Sequence, residues 1–168
     1  MGKKTIHHMG LDDLVGVNKA VVALTGEPHS YSEADGKKLS SLVKEVEARA
    51  DNVSPEEAIP EKASLLVFKI ASGQYFRAGN KRTALVSGVA FLQKNGYALN
   101  LRDTALVDTV DRAGVAAASL DDLFAVIGDL LTKTKTDRKG WGGVVGTVVD
   151  ANKDFLAGLA AQTSNSRP

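Results

Sequence analysis

A short polar stretch between two apolar segments carries the residues of this chain best suited to chemistry. Gly79 and Asn80 are followed directly by Lys81 and Arg82, where a helical pattern begins. The first turn of a helix has N–H groups without intrahelical partners and the positive end of the dipole, and both favour an anion. A glycine there lets a ligand approach the backbone closely. Two cations in that turn are explained by a phosphate between them or by side chains that point into solvent, and the charges alone leave both interpretations open.

The same stretch resembles the signature of the Fic/Doc (death-on-curing) family. The Doc branch of that family has the form His-x-Phe-x-Asp-Ala-Asn-Lys-Arg, followed by Thr-Ala-Leu. The residues that match this form in register are Phe76, Asn80, Lys81, Arg82, Thr83, Ala84 and Leu85. The Lys-Arg pair, in place of Gly-Arg, indicates the Doc branch, and a weaker similarity in helix order extends over residues 11–131. The chain is therefore identified as a Doc-like member of the family with a degenerate motif.

The resemblance implies a nucleotide-binding protein from a lineage of toxin-type protein kinases or AMP-transferases. In the family, a central helix–loop–helix binds the phosphates of a nucleotide, and the enzymes transfer AMP or phosphate to a hydroxyl group of a protein. For this chain it implies ATP or another nucleotide as cofactor. The phosphate site that it implies consists of Phe76, Gly79, Asn80, Lys81 and Arg82. It also implies a protein target in the translation machinery and an antitoxin as a further partner.

Two positions depart from the family motif, and both carry chemistry in the family. The motif histidine, the general base of the family, is Gln74 in this chain, and the acidic residue that helps to hold magnesium is Ala78. Glutamine cannot accept a proton as imidazole does. Alanine cannot ligate a metal, so Mg²⁺ is not expected and no metal site is predicted. The predicted catalytic positions are Gln74 and Lys81, and transfer is expected to be weak or absent.

Three hypotheses account for these substitutions. The first is a transferase that tolerates Gln74 and works slowly through orientation and charge stabilisation. The second is a non-catalytic module that binds a nucleotide or a protein and acts by interaction. The third, an engineered Gln74 in a toxic protein, leaves Ala78 unexplained.

No other side chain is an evident replacement for the missing base. The histidines are His7, His8 and His29; the first two adjoin the N-terminus and the third lies in a turn, so all three are interpreted as surface residues. No two of them stand at metal-ligand spacing on a shared helix face. The chain has no cysteine, and neither a Ser/His/Asp nor a Cys/His arrangement is indicated.

The elements that position the motif are helices. Residues 60–71 and 81–94 are apolar on nearly every side, which predicts two buried helices packed against each other on either side of the loop. Ser32 and Ser119 are each followed three residues later by an aspartate, which is typical of a helix start. With a short extended segment at 97–101, these patterns predict an all-α fold. The resemblance implies a Fic-like helical bundle with a central helix–loop–helix and at most a minor β-hairpin.

The chain is interpreted as one domain with a C-terminal extension. Residues 1–131 form the Fic/Doc-like helical domain. Residues 132–168 comprise a basic run interpreted as a solvated linker, a glycine-rich connection over 140–146, and a last helix with a polar tail. The formal net charge of +1 gives no global field that would attract nucleic acid. No apolar run is long enough for a membrane span and residues 1–10 lack the pattern of a signal peptide, so a cytoplasmic protein is predicted.

Overall fold

The computed structural model describes residues 5–164, with side chains to residue 160. Residues 1–4, at the predicted N-terminal segment, and residues 165–168, in the predicted polar tail, lie outside the described residues. The elements in chain order are α1 (Leu11–Ala23), α2 (Glu33–Ala48), α3 (Pro55–Gly73), α4 (Asn80–Lys94), β1 (Tyr97–Ala98), α5 (Thr104–Gly114), α6 (Leu120–Leu130), β2 (Thr132–Lys133), α7 (Trp141–Ala151) and α8 (Lys153–Ser164). The predicted all-α fold is confirmed, and β1 and β2 form a small antiparallel pair. Within residues 5–164, none of the helices is both long and apolar enough to span a bilayer.

Helices α3 and α4 form the centre of the molecule and share its most extensive helix–helix contact. Every residue of α4 from Arg82 to Leu92 is buried, and α3 buries a broad face that ends at Ile70 and Ala71. Helices α5 and α6 pack on α3, while α1 and α7 pack on α4. The prediction of two buried helices flanking the loop is confirmed.

The close approach of these two helices depends on Gly88 in α4. A Cβ atom at this position would overlap a methyl group of Val67 on α3. Glycine is unfavourable inside a helix because it loses more conformational freedom on folding than alanine. Its presence here is explained by the contact, which sets the distance between the two helices that hold the loop.

Capping side chains determine where several helices begin. The Ser32 hydroxyl accepts a hydrogen bond from the Asp35 N–H at 3.0 Å, and Ser119 and Asp122 form a reciprocal capping box at the start of α6. These bonds satisfy N–H groups that have no partner within the helix. Both predicted helix starts are confirmed.

The helix predicted to begin at residue 60 begins instead at Pro55 and contains Pro60 in its interior. Proline has no N–H, so the carbonyl of Glu56 loses its partner one turn later. Glu56 is exposed to solvent, where water can bind that carbonyl. The Ser64 hydroxyl donates to the Pro60 carbonyl at 2.8 Å and joins the second turn to the third. One continuous helix therefore replaces the shorter predicted one.

The basic run at 132–139 is attached to the helical bundle. Strand β2 pairs with β1, and the Thr134 N–H donates to the Gly96 carbonyl at 2.9 Å. The Gln93 amide donates to the Asp137 carboxylate at 2.8 Å, and the Asp137 N–H donates to the Gln93 carbonyl. The run is solvated, since all of its residues except Asp137 are exposed, and these bonds also attach it to the bundle. Its role as a linker stays a prediction.

The glycine-rich stretch that follows forms most of helix α7. The buried face of α7 consists of Val144, Val145, Val148 and Val149, which recur at helical spacing. The helix packs against α1 and α4. Burial of this apolar face outweighs the low helix propensity of glycine. The interpretation of residues 140–146 as a tight connection is wrong, whereas the domain boundary between residues 131 and 132 stays a prediction.

Replacing Gly88 with alanine is expected to lower the free energy of unfolding by about 1–3 kcal/mol, the usual cost of forcing an extra carbon into a packed core. The matched control is Gly128→Ala in α6, where an added Cβ meets nothing within 4 Å. Alanine there should stabilise the helix by about 0.5–1 kcal/mol. Urea unfolding of both variants measures the two changes. A Gly88→Ala variant as stable as the parent would show that this contact does not set the helix distance.

Candidate functional site

Gln74 ends α3 at the start of the loop formed by residues 74–79. Its backbone is left-handed, with φ at 53°. Its side-chain nitrogen donates to the Ala71 carbonyl at 3.0 Å, and its Oε1 accepts a longer hydrogen bond of 3.4 Å from the Asn80 amide. The side chain thus binds the carboxyl end of its own helix and the first residue of the next one, in an exposed position.

Asn80 closes the loop through its side chain. Its Oδ1 accepts the Phe76 N–H at 3.0 Å, and its Nδ2 donates to the Phe76 carbonyl at 2.7 Å. The oxygen and the nitrogen of this amide therefore both bind the backbone of Phe76. The Phe76 ring is buried and contacts the rings of His29 and Tyr31 at centroid distances of 6.0 and 5.8 Å. Phe76 and Asn80, both predicted site residues, together fix the shape of the loop.

Gly79 precedes α4 with φ at 78°, a left-handed conformation that favours glycine. A Cβ atom here would lie 3.0 Å from the Val22 Cγ1 and 3.3 Å from the Val21 Cγ2. The close approach that glycine permits at this position is therefore the approach of α1. The sequence suggested instead that it made room for a ligand.

Arg82 is buried, with its side chain only 3% exposed, and its guanidinium points towards the carboxyl end of α1. One terminal nitrogen donates to the Val21 carbonyl at 3.1 Å and to the Thr25 hydroxyl at 3.3 Å. The other donates to the Glu27 carboxylate at 2.6 Å. The guanidinium thus binds protein acceptors on the side of α4 that faces α1.

Lys81 points in a different direction, towards α5. Its Nζ lies 3.0 Å from the Asp111 carboxylate, and the Lys81 side chain is 23% exposed while that of Asp111 is 47% exposed. An ion pair this open to solvent contributes little free energy, because water screens the charges. Lys81 can therefore exchange Asp111 for another anion at low cost.

The first turn of α4 leaves its backbone N–H groups facing the loop end of the helix. Asn80, Lys81 and Arg82 occupy positions where no earlier carbonyl of the same helix is available. The first intrahelical bond runs from the Thr83 N–H to the Gly79 carbonyl at 2.8 Å. No acidic residue lies in this turn, so the aligned dipoles favour an anion at this end of the helix.

A second polar group lies beside the loop and was missed in the sequence. Asn18 of α1 is fully buried; its Nδ2 donates to the Ala78 carbonyl at 2.8 Å and to the Thr83 hydroxyl at 3.0 Å. The Asn18 Oδ1 lies 2.7 Å from the His29 Nδ1. Burial, with a smaller effect of Lys19, lowers the pKa of His29 below its ordinary value.

Partial burial overturns the interpretation of His29 as a surface residue, and the same holds for His8, whose ring lies 6.3 Å from that of Phe91. His7 is exposed, as expected. The signal available in the sequence was Asn18, a polar residue one turn after Leu14 and one turn before Val22 on the apolar stripe of α1.

Ala78 has no carboxylate that could ligate a metal, and its carbonyl oxygen already accepts a hydrogen bond from Asn18. Among residues 5–164, no group of three or more His, Asp and Glu side chains is placed to hold a metal ion. The chemistry that the described arrangement supports is anion binding by backbone N–H groups and Lys81, with one half-buried imidazole nearby.

A model of the Fic/DOC family matches residues 5–92, which include α1, the loop and most of α4. A comparison with curated proteins gave no match.

Replacing Glu27 with glutamine should lower the free energy of unfolding by about 1–3 kcal/mol, because the buried Arg82 loses its charged acceptor. The matched control is Glu33→Gln, whose partner Lys37 lies 3.9 Å away in a pair that is exposed on both sides. That change should stay within about 0.5 kcal/mol. Thermal or urea unfolding measures both. Equal effects of the two substitutions would contradict a structural role for the Arg82 pair.

Proposed function

Because this chain belongs to the Fic/DOC family, we propose that it binds a nucleotide through its phosphates at the amino end of α4. The observation that supports this site best is the first turn of α4, whose N–H groups have no intrahelical partners and which contains no acidic residue. The proposed ligand is ATP or another nucleotide, since two or more linked phosphates can bind the backbone N–H groups and Lys81 together.

The predicted site residues divide into two roles in this proposal. Lys81 and the backbone N–H groups of the first turn contact the phosphates. The side chains of Asn80 and Arg82 act instead through the shape of the loop, because they bind the Phe76 backbone and Glu27. Phe76 and Gly79 also act on the shape of the loop, through the buried ring and the close approach to α1.

The proposed chemistry at the motif is weak or absent. A family transferase moves AMP or phosphate to a protein hydroxyl, which needs a proton acceptor and, in the family, a metal ligand. Gln74 cannot supply the first and Ala78 cannot supply the second. This loss favours a second candidate function, a module that binds a nucleotide or a protein partner and acts by interaction without transfer.

Lys81→Ala should weaken ATP binding by about 10- to 150-fold, the effect of losing a charge-assisted hydrogen bond worth about 1.5–3 kcal/mol. Isothermal titration calorimetry with ATP measures the dissociation constant. Lys37→Ala is the matched control, because Lys37 is an exposed lysine on α2 that pairs with Glu33 of the same helix. Unchanged affinity in Lys81→Ala would remove Lys81 from the site, and no ATP binding by the parent chain would refute the proposed function.

The double substitution Gln74→His with Ala78→Asp should raise transfer from labelled ATP to a protein in cell extract by about 10²-fold or more over the parent. Histidine supplies a proton acceptor and aspartate a metal ligand beside the phosphates. Neither single change should suffice, because both groups act on one transition state and their effects are not additive. If the double variant binds ATP normally and labels no protein, transfer should be abandoned in favour of the interaction module.

A further inference from the structure

The hydrogen bonds around Asn18 determine which nitrogen of His29 carries a proton. The Ala78 carbonyl can only accept, so the Asn18 group 2.8 Å from it is the NH₂ group. The Asn18 Oδ1 is then the atom 2.7 Å from the His29 Nδ1, and that nitrogen must donate. In the neutral ring the Nε2 is therefore the basic nitrogen, and its lone pair is not used in the bond to Asn18.

His29 is held against the loop by contacts other than this bond. Its ring packs on the ring of Phe76 at 6.0 Å. The next residue, Ser30, accepts the Arg77 N–H with its carbonyl at 2.9 Å. The segment after α1 and the loop before α4 are thus joined at two neighbouring points. Asn18 adds a third link, because it also binds Thr83 in the first turn of α4.

We propose that His29, oriented by Asn18, is the proton acceptor for a hydroxyl group that attacks a phosphate bound at the amino end of α4. The inference rests on the nucleotide site proposed above and goes beyond it, because it assigns to this chain a base outside the motif. With His29 as the base, Ala78→Asp alone should raise transfer, in contrast to the expectation for a site that lacks both groups. It also gives Asn18 the role of a positioning residue, since Asn18 contacts the imidazole and the loop but not the reacting atoms.

The step balances with a nucleoside triphosphate as the co-reactant. The hydroxyl oxygen of a protein side chain forms a bond to phosphorus as the His29 Nε2 takes the hydroxyl proton. The bond between that phosphorus and its bridging oxygen breaks, and the electron pair leaves with the departing phosphate group. The imidazolium that forms keeps its Nδ1–H on the Asn18 carbonyl oxygen, which stabilises the positive charge.

The state of the free protein suits this role. Burial, followed by the charge of Lys19, lowers the pKa of His29, which favours the neutral ring that can accept a proton. A bound phosphate at the amino end of α4 would act in the opposite direction, because a nearby anion favours the imidazolium. The proposal therefore makes a claim about His29 that can be measured in the unmodified chain.

The first experiment is an NMR titration of the histidine ring nitrogens with and without ATP. ATP should shift the Nε2 signal of His29 and raise its pKa. His7 and His8 are internal controls. His8 packs on Phe91, eleven residues along α4 from Asn80, which is roughly 16 Å at 1.5 Å per residue, and the His7 N–H donates to Asn95 beyond the same helix end. Their signals should not move.

The second experiment measures transfer from labelled ATP to protein in cell extract. His29→Gln should reduce labelling by about 100-fold or more, the usual contribution of a general base, with unchanged ATP affinity. His7→Gln is the matched control and should label as the parent does.

Each result decides between the inference and the function on which it rests. A shift at His29 together with loss of labelling in His29→Gln supports the inference. ATP binding that leaves the His29 signals unmoved overturns it, and so does unchanged labelling in His29→Gln or no labelling by the parent, while the nucleotide site stands in all three cases. No ATP binding by the parent refutes the nucleotide site itself and the inference with it.

Discussion

The buried guanidinium of Arg82 is the interaction on which the geometry of the loop depends. A charge this deep in the protein is tolerated only when it is paired and hydrogen-bonded. Glu27 supplies the opposite charge, and Val21 and Thr25 supply neutral acceptors. Since all three belong to the end of α1 or the turn after it, the first turn of α4 has one orientation relative to α1. A rotation of α4 would move the cation away from these acceptors.

The same interaction explains why the motif serves structure as much as binding. Arg82 and Asn80 are residue types that bind phosphate well, yet one holds α1 and the other holds the backbone of Phe76. A ligand at this end of α4 therefore meets N–H groups whose positions are already fixed. Preorganised backbone donors lose little freedom when an anion binds, which makes a rigid loop an effective binding surface.

The sequence predicted the features that depend on local pattern. Ser32 and Ser119 mark helix starts through bonds that reach only three residues along the chain, and the apolar character of α3 and α4 identifies their burial. The direction of Arg82 was beyond such reasoning, because it depends on Glu27, which is 55 residues away. Helix α7 was missed for a related reason. Its glycines argue against a helix locally, whereas packing beside α1 and α4 stabilises it.

The contact between α1 and α7 has a consequence for how the chain reaches this structure during synthesis. Most of α1 precedes the motif by some fifty residues or more, whereas α7 follows it by a similar distance, and the two helices pack together. Contacts between distant segments require a long loop to close before they stabilise anything, which slows folding. When the motif has emerged from the ribosome but the valines of α7 have not, the side of the core that α7 covers is exposed to solvent. The nascent protein must therefore keep apolar surface of α1 and α4 exposed until α7 and α8 emerge.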